Sequence, residues 1–334
     1  MGKTCVGIDI GASDIKLAVV SDGNVRNLAT GIVPDNLVRD GRIVSPELAA
    51  EFLKSALKES QIKASHCAFL LPASVAYTRS MMVPAMSHEN LVLNLPYEFR
   101  DFITLEKDKY FYDYALLGSV ADENGKITEY ELIAATTLKE TIQGYSNICR
   151  RAGLKLKTAI PEEIAYMNVL NRYQQHSNSD ISDREFGFID LGHTSTKLHI
   201  YRGNKHQASR VIEYGVGLLD SIIAEQSNID EHIARAYKHA NNKGEQSGEL
   251  CLNLYSNIAM ELIRALNFYR FNMPDSNLTD LYLCGGGSKI ELLVDRVRDE
   301  LQLEIHSFAE LLPETVKNMD DASLCQLAVG VAMQ

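Results

Sequence analysis

One stretch of the chain occurs twice, and that repeat limits the fold more than any other feature. Val6 to Val20 reads VGIDIGASDIKLAVV, and Gly187 to Tyr201 reads GFIDLGHTSTKLHIY. In one common register Asp9 matches Asp190, Gly11 matches Gly192, Ser13 matches Thr194, Lys16 matches Lys197 and Leu17 matches Leu198. Each copy is an apolar strand ending in Asp, a turn containing Gly, and a second apolar strand, which is the pattern of a β-hairpin. A chain of 334 residues is too long for one ordinary core. The repeat therefore implies two related domains, each opening on the same hairpin, with a cleft between them.

The residues of the hairpin turn point to phosphate. A glycine lets the backbone come close to a ligand, neighbouring turn amides can converge on one anion, and a Ser or Thr hydroxyl adds a donor. The Asp at the strand end suits the water shell of Mg2+, an ion that keeps most of its waters. One such turn alone is more often just a strand end. Two copies at the same depth in both halves mark Asp9, Gly11, Ser13 and Lys16, and Asp190, Gly192, Thr194 and Lys197, as candidate nucleotide contacts, with Asp9 and Asp190 serving the metal. A third segment supplies a place for the nucleoside. Leu281 to Cys284 reads as a short buried strand, followed by Gly285, Gly286 and Gly287. Ser288 then stands where it can cap a helix carrying Ile290, Leu293, Val294 and Val297 on its apolar face.

A coarse pass places these motifs. Strands are expected at Val6–Ile10, Ile15–Val20, Val25–Val33 and Cys67–Leu71. A helix is expected from Ser45 and Pro46, with Leu48, Phe52, Ala56 and Leu57 as its apolar stripe. The second half repeats the order, with strands at Glu185–Ile189, Lys197–Tyr201 and Ala208–Glu213 and a helix at Leu218–Glu225. The polar run Lys238–Glu249 reads as a loop or frayed helix end, and a long helix at Leu250–Phe271 follows it. Residues 84–157 have no counterpart in the second half and read as an inserted α+β subdomain. In it Tyr110, Tyr112 and Tyr114 share one face of a strand, either packed on a helix or exposed as a docking surface. The expected boundaries are 1–83 for the first part of domain 1 and 84–157 for the insertion. Residues 158–184 form a connecting helix and linker, 185–319 domain 2, and 320–334 a closing buried helix.

Composition excludes several functions. The net charge is −11 and there is no basic block, whereas phosphate-backbone binding needs clustered Lys and Arg; nucleic acid is not an expected partner. The six cysteines stand far apart with no CxxC pair, which suits reduced, buried thiols. No run approaches the ~20 apolar residues that span a bilayer, and Asp9 interrupts any signal-like start. A cytoplasmic protein is expected. The histidines show no metal-binding spacing, so Mg2+ carried by a nucleotide is the one metal anticipated.

Taken in order, GIDIGASDIK, IDLGHTSTK and YLCGGGSKI resemble the two phosphate segments and the adenosine segment of the actin, Hsp70 and sugar kinase superfamily. The resemblance implies an α/β fold of duplicated actin-like, ribonuclease H-like domains facing a nucleotide cleft. Within that superfamily the chain is most similar to the PilM-type type IV pilus assembly proteins of the FtsA-like branch. Lys16 in the first hairpin, the EEIA segment at Glu162, YGVGLLDSIIA at Tyr214–Ala224 with Gly215 and Gly217, and RALNFY at Arg264–Tyr269 carry this finer likeness. Glu163 in place of a proline, Val216 between the two glycines and His193 after the second DxG depart from the pattern. The resemblance implies an ATP- and Mg2+-binding scaffold with weak or absent ATPase activity, in which Glu162 is the candidate for polarising a hydrolytic water. It also implies docking of the cytoplasmic N-terminal peptide of a PilN-like bitopic membrane protein near the insertion, so that the chain reaches the inner face of the membrane through its partner. Two alternatives stay open: a sugar-type kinase, for which no sugar-binding motif is visible, and an FtsA-like cell-division scaffold. Homo-oligomerisation is left open as well.

Overall fold

The computed structural model describes residues 4–241, 244–317, 319 and 321–333. The chain forms two compact units, Met1–Val169 with Leu327–Gln334, and Leu170–Gln326.

The first unit begins with three antiparallel strands, β1 (Thr4–Ile10), β2 (Asp14–Ser21) and β3 (Asn24–Ile32). A short ribbon, β4 (Val38–Arg39) and β5 (Arg42–Ile43), leads to α1 (Pro46–Glu59) and β6 (His66–Leu71). Next come β7 (Ala76–Pro84), α2 (His88–Glu98), β8 (Tyr110–Ala121) and β9 (Ile127–Leu138), and then α3 (Lys139–Arg151), β10 (Lys155–Pro161) and α4 (Glu162–Ser177). The main sheet has the order β10-β6-β1-β2-β3. β1 is parallel to β6 and antiparallel to β2. Its last five residues are all buried, as expected of a central strand covered on both faces. The core beneath it gathers Val6, Ile8, Leu17, Leu53, Phe69 and Ile148.

Ser45 caps α1 as expected, its Oγ accepting from the Leu48 amide at 3.4 Å, with Pro46 in the first turn. The buried stripe is Ala49, Ala50, Leu53, Ala56 and Leu57. Leu48 is 41% exposed, contrary to the expected stripe, because the i, i+4, i+7 row through Ala49, Leu53 and Ala56 lies one position around the helix.

The inserted region contains the expected order of helix, strand, strand, helix and strand, but those elements join two different sheets. β7, β9 and β8 form a three-stranded antiparallel sheet, and α2 packs on it through Leu91, Leu95 and Phe99 against Leu132 and Ala134. β10 instead pairs in parallel with β6, and α3 puts Tyr145, Ile148 and Cys149 into the main core. The separate sheet thus starts at Ala76 and ends at Leu138 rather than running from 84 to 157.

The second unit repeats the plan. β11 (Glu185–Leu191), β12 (Thr196–Arg202) and β13 (Lys205–Ile212) are antiparallel, and α5 (Leu218–Ser227), α6 (Glu231–Ala240) and α7 (Glu249–Asn272) follow. The unit continues with β14 (Asp280–Cys284), α8 (Glu291–Leu301), β15 (Glu304–Ser307) and the short α9 (Glu314–Lys317). The sheet order β13-β12-β11-β14-β15 mirrors that of the first unit, with β14 parallel to β11 and β15 parallel to β14. The last helix, α10 (Gln326–Ala332), returns to the first unit, where Asn168 Nδ2 donates to the Gly330 carbonyl at 3.0 Å. None of the six cysteines is in a disulfide, and five of them are buried. No helix among the described residues is long and apolar enough to cross a membrane.

Candidate functional site

The two repeated hairpins fold alike. In the first, Asp9 lies opposite Lys16 across β1 and β2, with Lys16 Nζ 3.8 Å from Asp9 Oδ2. The Gly11 amide closes the turn on the Asp14 carbonyl at 3.0 Å. A Cβ on Gly11 would stand 3.0 Å from Lys16 Nζ, so the glycine leaves room for the ammonium beside the turn. Ser13 is buried, and its carbonyl accepts from the Val33 amide at 2.8 Å, which ties the turn to the segment after β3. In the second hairpin Asp190 lies opposite Lys197, and the Gly192 amide closes the turn on the Ser195 carbonyl at 3.1 Å. Each turn thus carries a carboxylate, a lysine across from it, and backbone amides in a tight bend.

In the second unit three glycine turns mesh. The Val216 and Gly217 amides donate to the carbonyls of Gly192 and His193 at 2.9 and 2.8 Å, and Thr196 Oγ1 donates to the Tyr214 carbonyl at 2.8 Å. A Cβ on Gly215 would overlap the backbone of His193 and Thr194, and one on Gly217 would stand 2.6 Å from the His193 ring. Gly287 faces Leu191 and Val216 in the same way. Gly285 has φ +80° and ψ 172°, a region only glycine enters freely, and a Cβ there would overlap the Asp190 carboxylate. At these four positions the protein itself fills the space that a side chain would need. Gly286 differs, since nothing lies within 4 Å of its ideal Cβ. Ser288 does not cap a helix. It sits inside a 3-10 turn, Gly286–Lys289, where its Oγ donates to the Gly285 carbonyl at 2.7 Å. α8 starts after Ile290, which offers no side-chain cap.

Under the Gly215–Gly217 turn lies an ion cluster that the sequence did not announce. Lys238 is 3% exposed; its Nζ is 2.7 Å from Asp220 Oδ1 and donates to the Val216 carbonyl at 3.4 Å, while Arg235 Nε is 3.3 Å from Asp220 Oδ2. The polar run from Lys238 was expected to be a loop or a frayed helix end; α6 does end inside it, at Ala240, but Lys238 itself is helical and buried. A signal was available: Lys238 stands four residues after Ala234, which is fully buried, and so shares its face.

Glu162 is the first residue of α4, directly after the edge strand β10, and is 3% exposed. β6 stands between β10 and β1, which sets Glu162 two strands away from the first turn. An acidic group at this end of a helix is favoured by the free amides of the first turn.

The inserted sheet bounds a second feature of the first unit, a groove of about 510 Å³. One wall is the face of β8 and β9 that carries Phe111, Asp113, Ala115, Ile133 and Ala135. The other is the edge strand β10 from Leu156 to Pro161, with Ile142 and Ser146 of α3 between the walls. Tyr112 and Tyr114 turn the opposite way. They pack against the α2 cluster, and the Tyr114 hydroxyl is 2.7 Å from His88 Nδ1. Tyr110 is buried, its hydroxyl accepting from the Thr104 amide at 3.2 Å. Of the two roles open to the tyrosine row, packing on a helix is the one seen for Tyr112 and Tyr114, and their alternate neighbours form the groove wall.

The family profile of type IV pilus assembly protein PilM matches residues 7–334. Among solved structures, one described as the PilM-PilN type IV pilus biogenesis complex is 23% identical, with a TM-score of 0.80, 98% of this chain covered and 97% of that one. The ethanolamine utilization protein EutJ from Carboxydothermus hydrogenoformans is 14% identical with a TM-score of 0.60, covering 98% and 88%. MreB 5 of Spiroplasma citri, solved bound to AMPPNP, is 13% identical with a TM-score of 0.53, covering 98% and 94%. A search of curated proteins finds no match. The fold is actin-like.

Proposed function

Because the chain belongs to the family of type IV pilus assembly protein PilM, we propose that it is an ATP-binding scaffold of the inner-membrane platform that assembles a type IV pilus. The observation that carries this reading is the groove between the inserted sheet and β10. An extended peptide can bind such a groove by hydrogen bonding its main chain to an open strand edge and seating alternate side chains in apolar positions. β10 is that edge, and Phe111, Ile133 and Leu156 supply the apolar wall. The occupant is the cytoplasmic N-terminal peptide of a PilN-like bitopic membrane protein, and through it the chain is held at the membrane.

The nucleotide is Mg-ATP. Within each unit the hairpin residues suit it: tight-turn amides and Lys16 or Lys197 suit phosphate oxygens, and the Asp9 or Asp190 carboxylate suits the waters of Mg2+. When bound, the ion neutralises phosphate charge. Gly286 offers a bare stretch of backbone for the nucleoside, and Glu162 is the candidate for orienting a hydrolytic water. Co-expression with a PilN-like partner tests the scaffold half of the reading. The two should purify together, and removing the partner's N-terminal segment should separate them. Copurification that persists without that segment would overturn the assignment of the groove.

A further inference from the structure

We infer that Asp280, Glu304 and His306 form a binding site for a divalent transition-metal cation, with Zn2+ the best fit, at the β14–β15 side of the second unit's sheet. Backbone register assembles it. β14 and β15 run parallel, with Asp280 paired to Glu304 and Tyr282 to His306, and residues two apart on a strand share a face. All four side chains therefore stand on one face of the sheet, although Asp280 lies 24 positions before Glu304 in the chain and no short motif announces the group. One ligand atom from each of Asp280, Glu304 and His306 falls within 4.8 Å of the others. His306 Nε2 is 3.4 Å from Asp280 Oδ1 and 3.7 Å from Glu304 Oε2. Zinc bonds of about 2.0–2.2 Å at tetrahedral angles put neighbouring ligands roughly 3.3–3.6 Å apart, so these side chains already stand close to a coordinating arrangement.

The orientation of His306 points to a cation. Its Nδ1 is 3.2 Å from Glu310 Oε2; a carboxylate accepts, so Nδ1 carries the proton and the neutral ring turns its Nε2 lone pair toward Asp280 and Glu304. Nε2 is closed off from water and makes no hydrogen bond. A lone pair and two carboxylates facing one point repel unless a positive charge stands among them, and imidazole and carboxylate are both zinc ligands. The supports are in place as well. Glu310 is held through its other oxygen, Oε1, which accepts from the Ser307 amide at 3.0 Å, and a carboxylate behind a histidine is the usual way of orienting that ligand toward zinc. Arg184 Nη2 donates to Asp280 Oδ2 at 3.4 Å and to the Tyr282 hydroxyl at 2.6 Å, which leaves Oδ1 for the metal. The Tyr282 ring stacks on His306 with centroids 5.2 Å apart. Glu304 is exposed, so solvent enters on its side and water completes the coordination, as in an open zinc site. Asp280 is at the opposite end of β14 from the glycine turn that follows Cys284, so the inference does not rest on the function proposed above.

Zn2+ alone is the probe, and a proton on Nε2 is the rival occupant. Calorimetric titration of the full chain without nucleotide should show one equivalent bound, reversed by a chelator. Glu310→Gln removes only a support and should lower the affinity about 10–100-fold, whereas His306→Ala and Asp280→Asn each remove a ligand and should lower it by about 100-fold or more. Imidazole nitrogen NMR of the wild type needs no variant to fold: of the nine histidines, one should respond to the first equivalent of Zn2+, through its Nε2. The inference is overturned if Zn2+ does not bind saturably, if folded His306→Ala binds it with wild-type affinity, if other histidines respond, or if His306 carries a proton on both nitrogens and keeps them when Zn2+ is added.

Discussion

Gly285 and Gly286 are adjacent in sequence and should respond in opposite ways to the same change. At Gly285 a Cβ meets two penalties. The backbone stands at φ +80°, ψ 172°, which costs a side-chain-bearing residue about 1–3 kcal/mol. The added methyl also overlaps the Asp190 carboxylate and would stand 2.9 Å from the Leu191 carbonyl, and overpacking of this kind costs about 1–3 kcal/mol. Gly285→Ala should therefore destabilise the protein by about 2–6 kcal/mol, a large part of the ~5–15 kcal/mol that stabilises a typical domain. It should also displace Asp190. At Gly286 no atom lies within 4 Å of the ideal Cβ, so Gly286→Ala should stay within about 0.5 kcal/mol of wild type, the usual range for a surface change. Urea unfolding of the two variants measures both values, and the Mg-ATP-induced rise in melting temperature then reports Asp190. Equal stabilities for the two variants, or a Gly285→Ala protein with the full Mg-ATP shift, would refute the claim that the glycine turn is built around the carboxylate.

Further outcomes are expected elsewhere in the chain. Saturating Mg-ATP should raise the melting temperature by mass action, with Asp9→Ala and Asp190→Ala each reducing the rise; a wild-type melting temperature unchanged by Mg-ATP would remove the nucleotide from the account. Lys238→Ala leaves Asp220 paired with Arg235 and should destabilise the protein by less than the ~3–5 kcal/mol of a buried charge left wholly unpaired, read by urea unfolding. Burial raises Tyr145 to about 12 and pushes Tyr255 and Tyr269 up as well. Their phenols ionise near pH 10 once unfolded, so stability should hold below pH 10 and fall as the pH rises above it, less steeply in Tyr145→Phe.

Local pattern made much of this architecture legible. A strand ending in Asp, a Gly turn and a second strand is a short-range signal, so both hairpins stand where the repeat puts them, and the long apolar period of α7 is just as plain. Membership in a sheet is not local. α3 and β10 were legible as elements, yet nothing within residues 139–161 says that they return to the first core and leave β7, β8 and β9 as a separate sheet. A cut from 84 to 157 would therefore remove part of the main core. Alternation put Tyr110, Tyr112 and Tyr114 on one face but could not say which face α2 covers. Lys238 looked like loop or a frayed helix end because lysine is seldom buried; the helical spacing from Ala234 hinted at its face, and its partner Asp220, 18 positions earlier in the chain, explains why it is buried.

Fluorescence anisotropy of a labelled N-terminal peptide from the PilN-like partner, titrated with this chain, tests the central claim most directly. The peptide should bind saturably. Ala115→Arg, at an exposed position on the groove wall, should block it without unfolding the protein. Phe111→Ala, which removes a large apolar contact, should weaken binding by about 30-fold, the equivalent of a 2 kcal/mol hot spot. Wild-type affinity in the folded Ala115→Arg protein would place the partner elsewhere and contradict the account.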